Sequence, residues 1–241
     1  MFIEEYGENN ESIIVMLHGA FFVHSFGRQY VLSEKYHLIV PHIMGYGSHT
    51  EKVFQTEEAI TELAEYISGI GKQVTLIGFS LGAQLAYELI CRHSDLFNKA
   101  IIVSPWLLKT DAEMPMMLAM NEKQLITMKD KTKCKMIALM NGLPRAKRTE
   151  FVNQMQKVSV ETVRNSVNNG IELDDRFRLV QIPVIALAGE KEQKSVVESV
   201  KMMASKNANC TYQIWAKASH NIPPVFAKRF NKLIGEVMSE G

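Results

Sequence analysis

Six short apolar runs, each bounded by turn-forming residues, recur along the chain. They lie at residues 13–17, 38–40, 74–77, 100–103, 183–187 and 211–215. Short and nearly continuous apolar runs are typical of strands that are covered on both faces, as in a parallel sheet. The runs therefore predict the strands of one mostly parallel sheet.

Segments with apolar side chains at helical spacing lie between these runs. The pattern predicts helices over residues 56–69, 81–90, 195–207 and 224–237. We expect Thr56 to be the N-cap of the first helix, and Ser195 with Glu198 to form a capping box at the third. Strands that alternate with helices predict an α/β fold with right-handed crossovers.

Residues 110–181 interrupt the alternation, because they contain short helical patterns and no convincing strand. Eight of the fourteen methionines fall in this segment: Met114, Met116, Met117, Met120, Met128, Met136, Met140 and Met155. We interpret the segment as a helical cap inserted into a single core domain that residues 1–109 and 182–241 form together. Methionine is flexible and polarisable, so a methionine-rich cap suits a variable apolar group.

Composition and charge exclude several classes of protein. The 241 residues include 27 Lys and Arg against 26 Asp and Glu, so no bulk charge attracts nucleic acid or an anionic membrane. The strongest apolar run is too short to span a bilayer, and the acidic first residues do not resemble a signal peptide. Three widely spaced cysteines indicate neither a disulfide framework nor a zinc site. We expect a cytoplasmic protein.

The segment Gly78-Phe79-Ser80-Leu81-Gly82 carries the sharpest chemical signal. It matches the G-x-S-x-G pattern of a nucleophile elbow, between a predicted strand and a predicted helix as that motif requires. A serine in such a turn has strained backbone angles, and its neighbours two residues away must be small. The turn exposes the Ser80 hydroxyl and directs the Leu81 amide at an oxyanion on the attacked carbon.

A second signal, His18-Gly19-Ala20, follows the first strong strand. A serine hydrolase draws its other oxyanion-hole donor from the loop at this point, and we expect that donor to be the amide of Ala20. Leu81 and Ala20 are therefore the predicted oxyanion hole. We expect His18 to support the loop by hydrogen bonding and not to act as a base.

Together with residues 41–48, 188–192 and 219–220, these two signals resemble the α/β-hydrolase superfamily, in its serine esterase- and lipase-like branch. The matches follow the family's order over nearly the whole chain outside residues 110–181. One departure is His42, which stands where the family's D-x-x-G-x-G-x-S loop has an aspartate. The resemblance implies a mostly parallel sheet flanked by helices, with a helical cap insertion.

The resemblance also implies a catalytic histidine in the loop between the last strand and the last helix, where His220 stands. The family's acid follows the penultimate strand in a Gly-x-x-Asp pattern, and this chain has Glu192 at the position of the aspartate. Glu190, on the same loop, and Asp111, after the strand at residues 100–103, remain alternatives. A glutamate can orient the imidazole and stabilise the imidazolium as an aspartate does.

These residues predict hydrolysis of a carboxylic ester, thioester or related acyl bond through an acyl-enzyme on Ser80, with neither a metal nor an organic cofactor. The expected partner is a small-molecule substrate with an apolar acyl group. A C–C bond hydrolase or lyase on the same triad is one alternative, and a non-enzymatic binding protein of the same fold is another. Dinucleotide, P-loop and zincin motifs are absent from the sequence.

Overall fold

Seven strands form one twisted sheet at the centre of the computed structural model, which describes residues 1–239. The strands are β1 (Ile3–Tyr6), β2 (Ile13–Leu17), β3 (His37–Pro41), β4 (Val74–Phe79), β5 (Phe97–Val103), β6 (Val184–Gly189) and β7 (Cys210–Trp215). Their order is β1-β3-β2-β4-β5-β6-β7, and only the β1–β3 pair is antiparallel. The predicted fold class is confirmed.

The six predicted apolar runs form β2 to β7, whereas β1 was not predicted. Strand β1 pairs with β3 alone at the edge of the sheet, with Glu4 opposite Val40 and Glu5 opposite Ile39. Its four residues include two glutamates and none of them is fully buried. An edge strand needs no continuous apolar run, so the pattern that reveals the other strands is missing here.

Helices cover both faces of the sheet. The helices of the core are α1 (Thr56–Gly69), α2 (Leu81–Arg92), α7 (Lys194–Lys206), α8 (Ile222–Val225) and α9 (Ala227–Ser239). Alternate residues of β2 contribute to opposite faces: Val15 packs with α1 and α2 side chains, and Met16 packs with α9 side chains. Because helices cover both faces, the strands that hold the site are closely packed on each side.

No helix within residues 1–239 is long and apolar enough to cross a bilayer.

The predicted N-caps of two helices are wrong. Thr56 is the first residue of α1 and makes no capping hydrogen bond, and α7 likewise begins without a side-chain cap. The Ser195 hydroxyl is buried inside α7, and Glu198 pairs with Lys201 instead. Both sequences resemble N-caps, but the N-cap positions are Gln55 and Gln193, which lie one residue before Thr56 and two residues before Ser195.

The last helical segment is divided where one helix was predicted. Helix α8 contains Pro223 and Pro224 in its first turn, and the chain leaves helical geometry at Phe226 before α9 begins. Proline has no amide hydrogen, so it fits the first turn of a helix and not its interior. The apolar stripe continues across the break, since Phe226 and Phe230 both pack under β7, and it therefore conceals the division.

Residues between β5 and β6 contain four helices and no strand in the part of the chain that is described. They are α3 (Met114–Lys129), α4 (Lys131–Met140), α5 (Arg145–Lys157) and α6 (Val160–Val167). Phe151 of α5 packs edge-on against Phe22, with ring centroids 4.9 Å apart. Lys147 of α5 donates to Glu4 of β1 at 2.7 Å and thereby ties these helices to the far edge of the sheet. The division into core and cap at residues 110–181 stays a prediction.

Candidate active site

Ser80 occupies a strained turn between β4 and α2. Its φ of 55° and ψ of −114° lie where non-glycine residues are rare, and its amide donates to Val103 O at 2.9 Å. A Cβ at position 78 would lie 2.3 Å from Gly82 O, and one at position 82 would lie 2.0 Å from Leu17 O. Only glycine fits at either position, which is the physical reason for the G-x-S-x-G pattern.

The structure brings Ser80, His220 and Glu192 into one chain of hydrogen bonds. Ser80 Oγ lies 2.9 Å from His220 Nε2, and His220 Nδ1 lies 2.8 Å from Glu192 Oε2. The three residues follow β4, β7 and β6, and the carboxyl ends of parallel strands meet at one edge of a sheet. This edge therefore assembles a nucleophile, a base and a carboxylate from distant parts of the sequence.

Glu192 is almost fully enclosed, whereas His220 is half exposed towards a cavity. Burial opposes ionisation of the carboxyl group. Hydrogen bonds from His220, from Ser104 and from the Gly189 amide, together with the charge of His220, outweigh that effect and hold the pKa of Glu192 below its ordinary value. Glu192 is therefore ionised, and its hydrogen bonds orient one carboxylate oxygen towards His220.

Ser104 is a site residue that the sequence analysis did not find. It follows β5 directly, has a φ of 55°, and donates its amide to Leu187 O at 2.7 Å. Its hydroxyl donates to Glu192 Oε1, which is the oxygen not bonded to His220. Its one signal in the sequence is its place just after a buried strand that neighbours the Ser80 strand.

The alternative acids lie elsewhere. Glu190 Oε2 accepts a hydrogen bond from the Lys217 amide at 2.8 Å and makes no contact with His220. Asp111 is exposed and lines a separate small cavity together with Lys109. The geometry thus favours Glu192 among the three candidates.

Ala20 and Leu81 line the same cavity as Ser80. Neither backbone amide donates a hydrogen bond to another residue within 1–239. The Gly82 amide donates to His18 O at 3.1 Å, and this bond holds the 18–20 loop against the start of α2. The two predicted amides are therefore free to donate, and their residues line the same cavity as Ser80, as an oxyanion hole requires.

His18 is fully buried and holds two loops together. Its Nδ1 donates to Gly19 O at 2.8 Å, and its Nε2 accepts from the Ile43 amide at 2.9 Å. Burial lowers the pKa of His18 to about 3, so the ring is neutral. Both nitrogens are occupied and neither contacts Ser80, which agrees with a supporting role.

His42, at the aspartate position of the family pattern, bonds within its own loop. Its Nδ1 accepts a hydrogen bond from the Ser48 amide at 2.9 Å, as a carboxylate oxygen could. Its Nε2 lies 3.5 Å from Glu4 Oε1, so a carboxylate from β1 stands behind the ring. His42 therefore supports the 45–48 turn, in which Gly45 and Gly47 have positive φ, by accepting the Ser48 amide.

We expect the free energy of unfolding to fall as the pH drops from 6.5 to 5. Burial lowers the pKa of His18 to about 3 and that of His24 to about 4, whereas an unfolded histidine titrates near 6.5. The unfolded chain therefore binds up to two more protons in this range, which destabilises the fold by up to about 2.7 kcal/mol per pH unit. Urea unfolding at pH 7, 6 and 5 measures the slope. A free energy of unfolding that does not change over this range would contradict the prediction.

A cavity of about 530 Å³ opens beside Ser80. Its apolar lining comes from both the core and the inserted helices: Phe21, Phe22, Phe79, Trp106, Met117, Met120, Met128, Ile137, Val167, Val196 and Pro224. Three of the eight methionines of residues 110–181 thus line the cavity, and Met120 among them is also half exposed. Met116, Met136 and Met140 are exposed, Met114 is partly buried and Met155 is buried. No three His, Cys, Asp or Glu side chains within residues 1–239 are grouped to hold a metal ion.

A known protein family has a sequence model that matches most of this chain. Residues 14–232 match the model of the alpha/beta hydrolase family. The chain belongs to this family. The match spans the sheet from β2 to β7 together with the loops that carry Ser80, Glu192 and His220.

Solved structures of other alpha/beta hydrolase-like proteins superpose on nearly the whole chain. MenH from S. aureus is 18% identical with a TM-score of 0.75, and covers 99% of this chain and 98% of its own. An esterase from Thermogutta terrifontis is 17% identical with a TM-score of 0.74 over 99% and 93%. A bromoperoxidase from Bacillus anthracis is 16% identical with a TM-score of 0.78 over 98% and 94%. At these identities the likeness establishes the fold alone.

One curated relative is a biotin biosynthesis bifunctional protein BioHC from Teredinibacter turnerae. It is 24% identical over 221 residues, which are 87% of this chain and 32% of that protein. The chain therefore spans about a third of the length of this relative.

Proposed function

We propose that this alpha/beta hydrolase cleaves a carboxylic ester or a related acyl bond through an acyl-enzyme on Ser80. The observation that carries the proposal is the unbroken hydrogen-bonded series Glu192–His220–Ser80, with distances of 2.8 and 2.9 Å, at a strained turn. Such a series is the arrangement that activates a serine hydroxyl.

In the first step His220 Nε2 takes the Ser80 proton while Oγ attacks the acyl carbon. The carbonyl π electrons move to the oxygen, and the Ala20 and Leu81 amides donate to this oxyanion. Glu192 accepts from His220 Nδ1 and stabilises the imidazolium, and Ser104 and the Gly189 amide hold Glu192 in place.

In the second step the carbonyl re-forms and the bond to the leaving alkoxide breaks. His220 gives its proton to the alkoxide, which leaves as an alcohol, and the acyl group remains on Ser80. Water then attacks the acyl-enzyme while His220 takes its proton and returns it to Ser80 Oγ, and the carboxylic acid is released. Each proton that moves passes through His220, so these steps require no metal and no organic cofactor.

Labelling with a fluorophosphonate probe tests the proposal. The expected result is one covalent adduct per chain, mapped to the peptide that contains Ser80 and lost in Ser80→Ala. A folded protein in which Ser80 does not react would contradict it and would favour a binding protein of the same fold.

We propose that residues 110–181 act as a cap that selects the acyl group. Met117, Met120 and Met128 face the cavity together with core aromatic side chains, so an apolar acyl chain would gain contacts there. Each buried methylene contributes about 0.8 kcal/mol, or about fourfold in kcat/KM.

We therefore expect kcat/KM to rise with acyl length from acetate to hexanoate, measured on p-nitrophenyl esters so that the leaving group stays constant. Met117→Ser should flatten the rise, whereas the same change at the exposed Met140 should not alter it. A flat or falling profile in the wild-type protein would contradict the apolar acyl site.

A further inference from the structure

A connected group of polar residues adjoins the cavity at Gln84 and Ser166. Asn169 Oδ1 accepts from Lys109 Nζ and, at 2.9 Å, from the Ile171 amide. Asn169 Nδ2 donates at 2.9 Å to both Ser166 O and Gln84 Oε1. Gln84 lines the cavity, and Lys109 lies behind the wall in a separate recess.

These partners fix the direction of two side-chain amides. The Ile171 amide can only donate and the Ser166 carbonyl can only accept, so the oxygen and nitrogen of Asn169 cannot be exchanged. Asn169 therefore presents Nδ2 to Gln84, and the atom of Gln84 that receives it must be Oε1. The nitrogen Nε2 of Gln84 then points away from Asn169.

Gln84 stands one helical turn beyond Ser80. Its backbone amide bonds to Ser80 O at 3.2 Å, and its side chain is 6% exposed. Within residues 1–239 Gln84 Nε2 has no hydrogen-bond partner. It is nevertheless not completely buried, and Gln84 lines the cavity. It is therefore a nearly buried donor, held in one orientation, that faces the cavity about 6 Å along α2 from the Ser80 turn.

We propose that Gln84 Nε2 is a subsite for an uncharged oxygen acceptor, such as a keto group, within the acyl chain of the substrate. This inference rests on the proposed function, since it assumes that the cavity holds the acyl group. Asn169 is a positioning residue, because it sets which atom Gln84 presents. The titratable side chains that line the cavity, Lys191, Glu192 and His220, all belong to the Glu192 and His220 loops, so the lining places no basic side chain beside Gln84 to pair with a carboxylate.

Binding to Ser80→Ala protein tests the subsite without turnover. The ligands are the methyl esters of 3-oxobutanoate, 4-oxopentanoate and 5-oxohexanoate, each paired with the isosteric alkene in which CH₂ replaces the keto oxygen. Titration calorimetry gives the ratio of the alkene Kd to the ketone Kd for each pair. We expect the additional change Gln84→Met, which keeps the length and removes the donor, to lower this ratio about tenfold for at least one pair.

The change Asn169→Asp separates hydrogen bonding from packing. An aspartate still accepts from Lys109 and Ile171 but offers no N–H to Gln84, so the Gln84 amide turns and presents Oε1 to the cavity. We expect the ketone preference to be lost although Gln84 is unchanged, while a hydroxy ester, which can also donate, keeps its affinity. A packing role would leave the ratio unaltered in this variant.

Failure of the proposed function would appear differently, as a lack of fluorophosphonate labelling in the wild-type protein. The ratio of the alkene Kd to the ketone Kd would still be measurable in that case, because it requires no turnover. Ratios that change in neither variant for any of the three pairs would overturn the subsite. Binding of monomethyl succinate that is tighter than that of methyl 4-oxopentanoate and depends on Gln84 would overturn the assignment to an uncharged group. Circular dichroism of each variant excludes unfolding.

Discussion

Ser80→Ala should lower kcat for activated esters by a factor on the order of 10⁴ to 10⁶. The variant has no Oγ to form the acyl-enzyme, and only the oxyanion donors and substrate binding remain. The thermal midpoint should change little, because within residues 1–239 the Ser80 hydroxyl bonds only to the half-exposed His220. Steady-state kinetics and thermal unfolding measure the two effects.

The matched control for this prediction is Ser205→Ala, the same chemical change on the exposed face of α7, where the hydroxyl bonds only within its own helix. It should retain wild-type kcat. If Ser80→Ala kept more than a few per cent of wild-type kcat, Ser80 would not be the nucleophile.

Glu192→Gln should lower kcat by a factor on the order of 10² or more. The amide nitrogen of glutamine can donate to His220 Nδ1, which places the ring proton on Nε2, where it blocks removal of the Ser80 proton. The corresponding change in a well-studied serine protease costs about 10⁴ in kcat. We expect a smaller loss here, because a glutamine side chain is more flexible and water can partly substitute for the carboxylate.

Glu190→Gln is the control, since it makes the same change of charge on the same loop. Glu190 bonds to the Lys217 amide and not to His220, so this variant should lose less than tenfold in kcat. A greater loss in Glu190→Gln than in Glu192→Gln would assign the acid to position 190. Near-wild-type kcat in both variants would exclude both glutamates as the acid and leave Asp111 as the remaining candidate.

Local backbone requirements made part of the site predictable. The sequence reveals the glycines at 78 and 82 because a Cβ at either position would collide with backbone atoms. It reveals the inner strands β2 to β6 because nearly all of their residues are buried. Strand β1 was missed because its edge position places no such demand on its residues.

Contacts between distant segments account for what the sequence could not show. Glu190 and Glu192 differ by two positions, and only the path of the loop sends one to Lys217 and the other to His220. The Ser104–Glu192 bond joins the ends of β5 and β6 and depends on the order of strands in the sheet.

Rapid-quench mass spectrometry of the protein with p-nitrophenyl butyrate tests the acyl-enzyme on Ser80 most directly. In the first turnover we expect a butyryl mass on the peptide that contains Ser80, formed at up to one per chain and lost as substrate is exhausted. Turnover without a covalent acyl group, or with the group on another residue, would contradict an acyl-enzyme on Ser80.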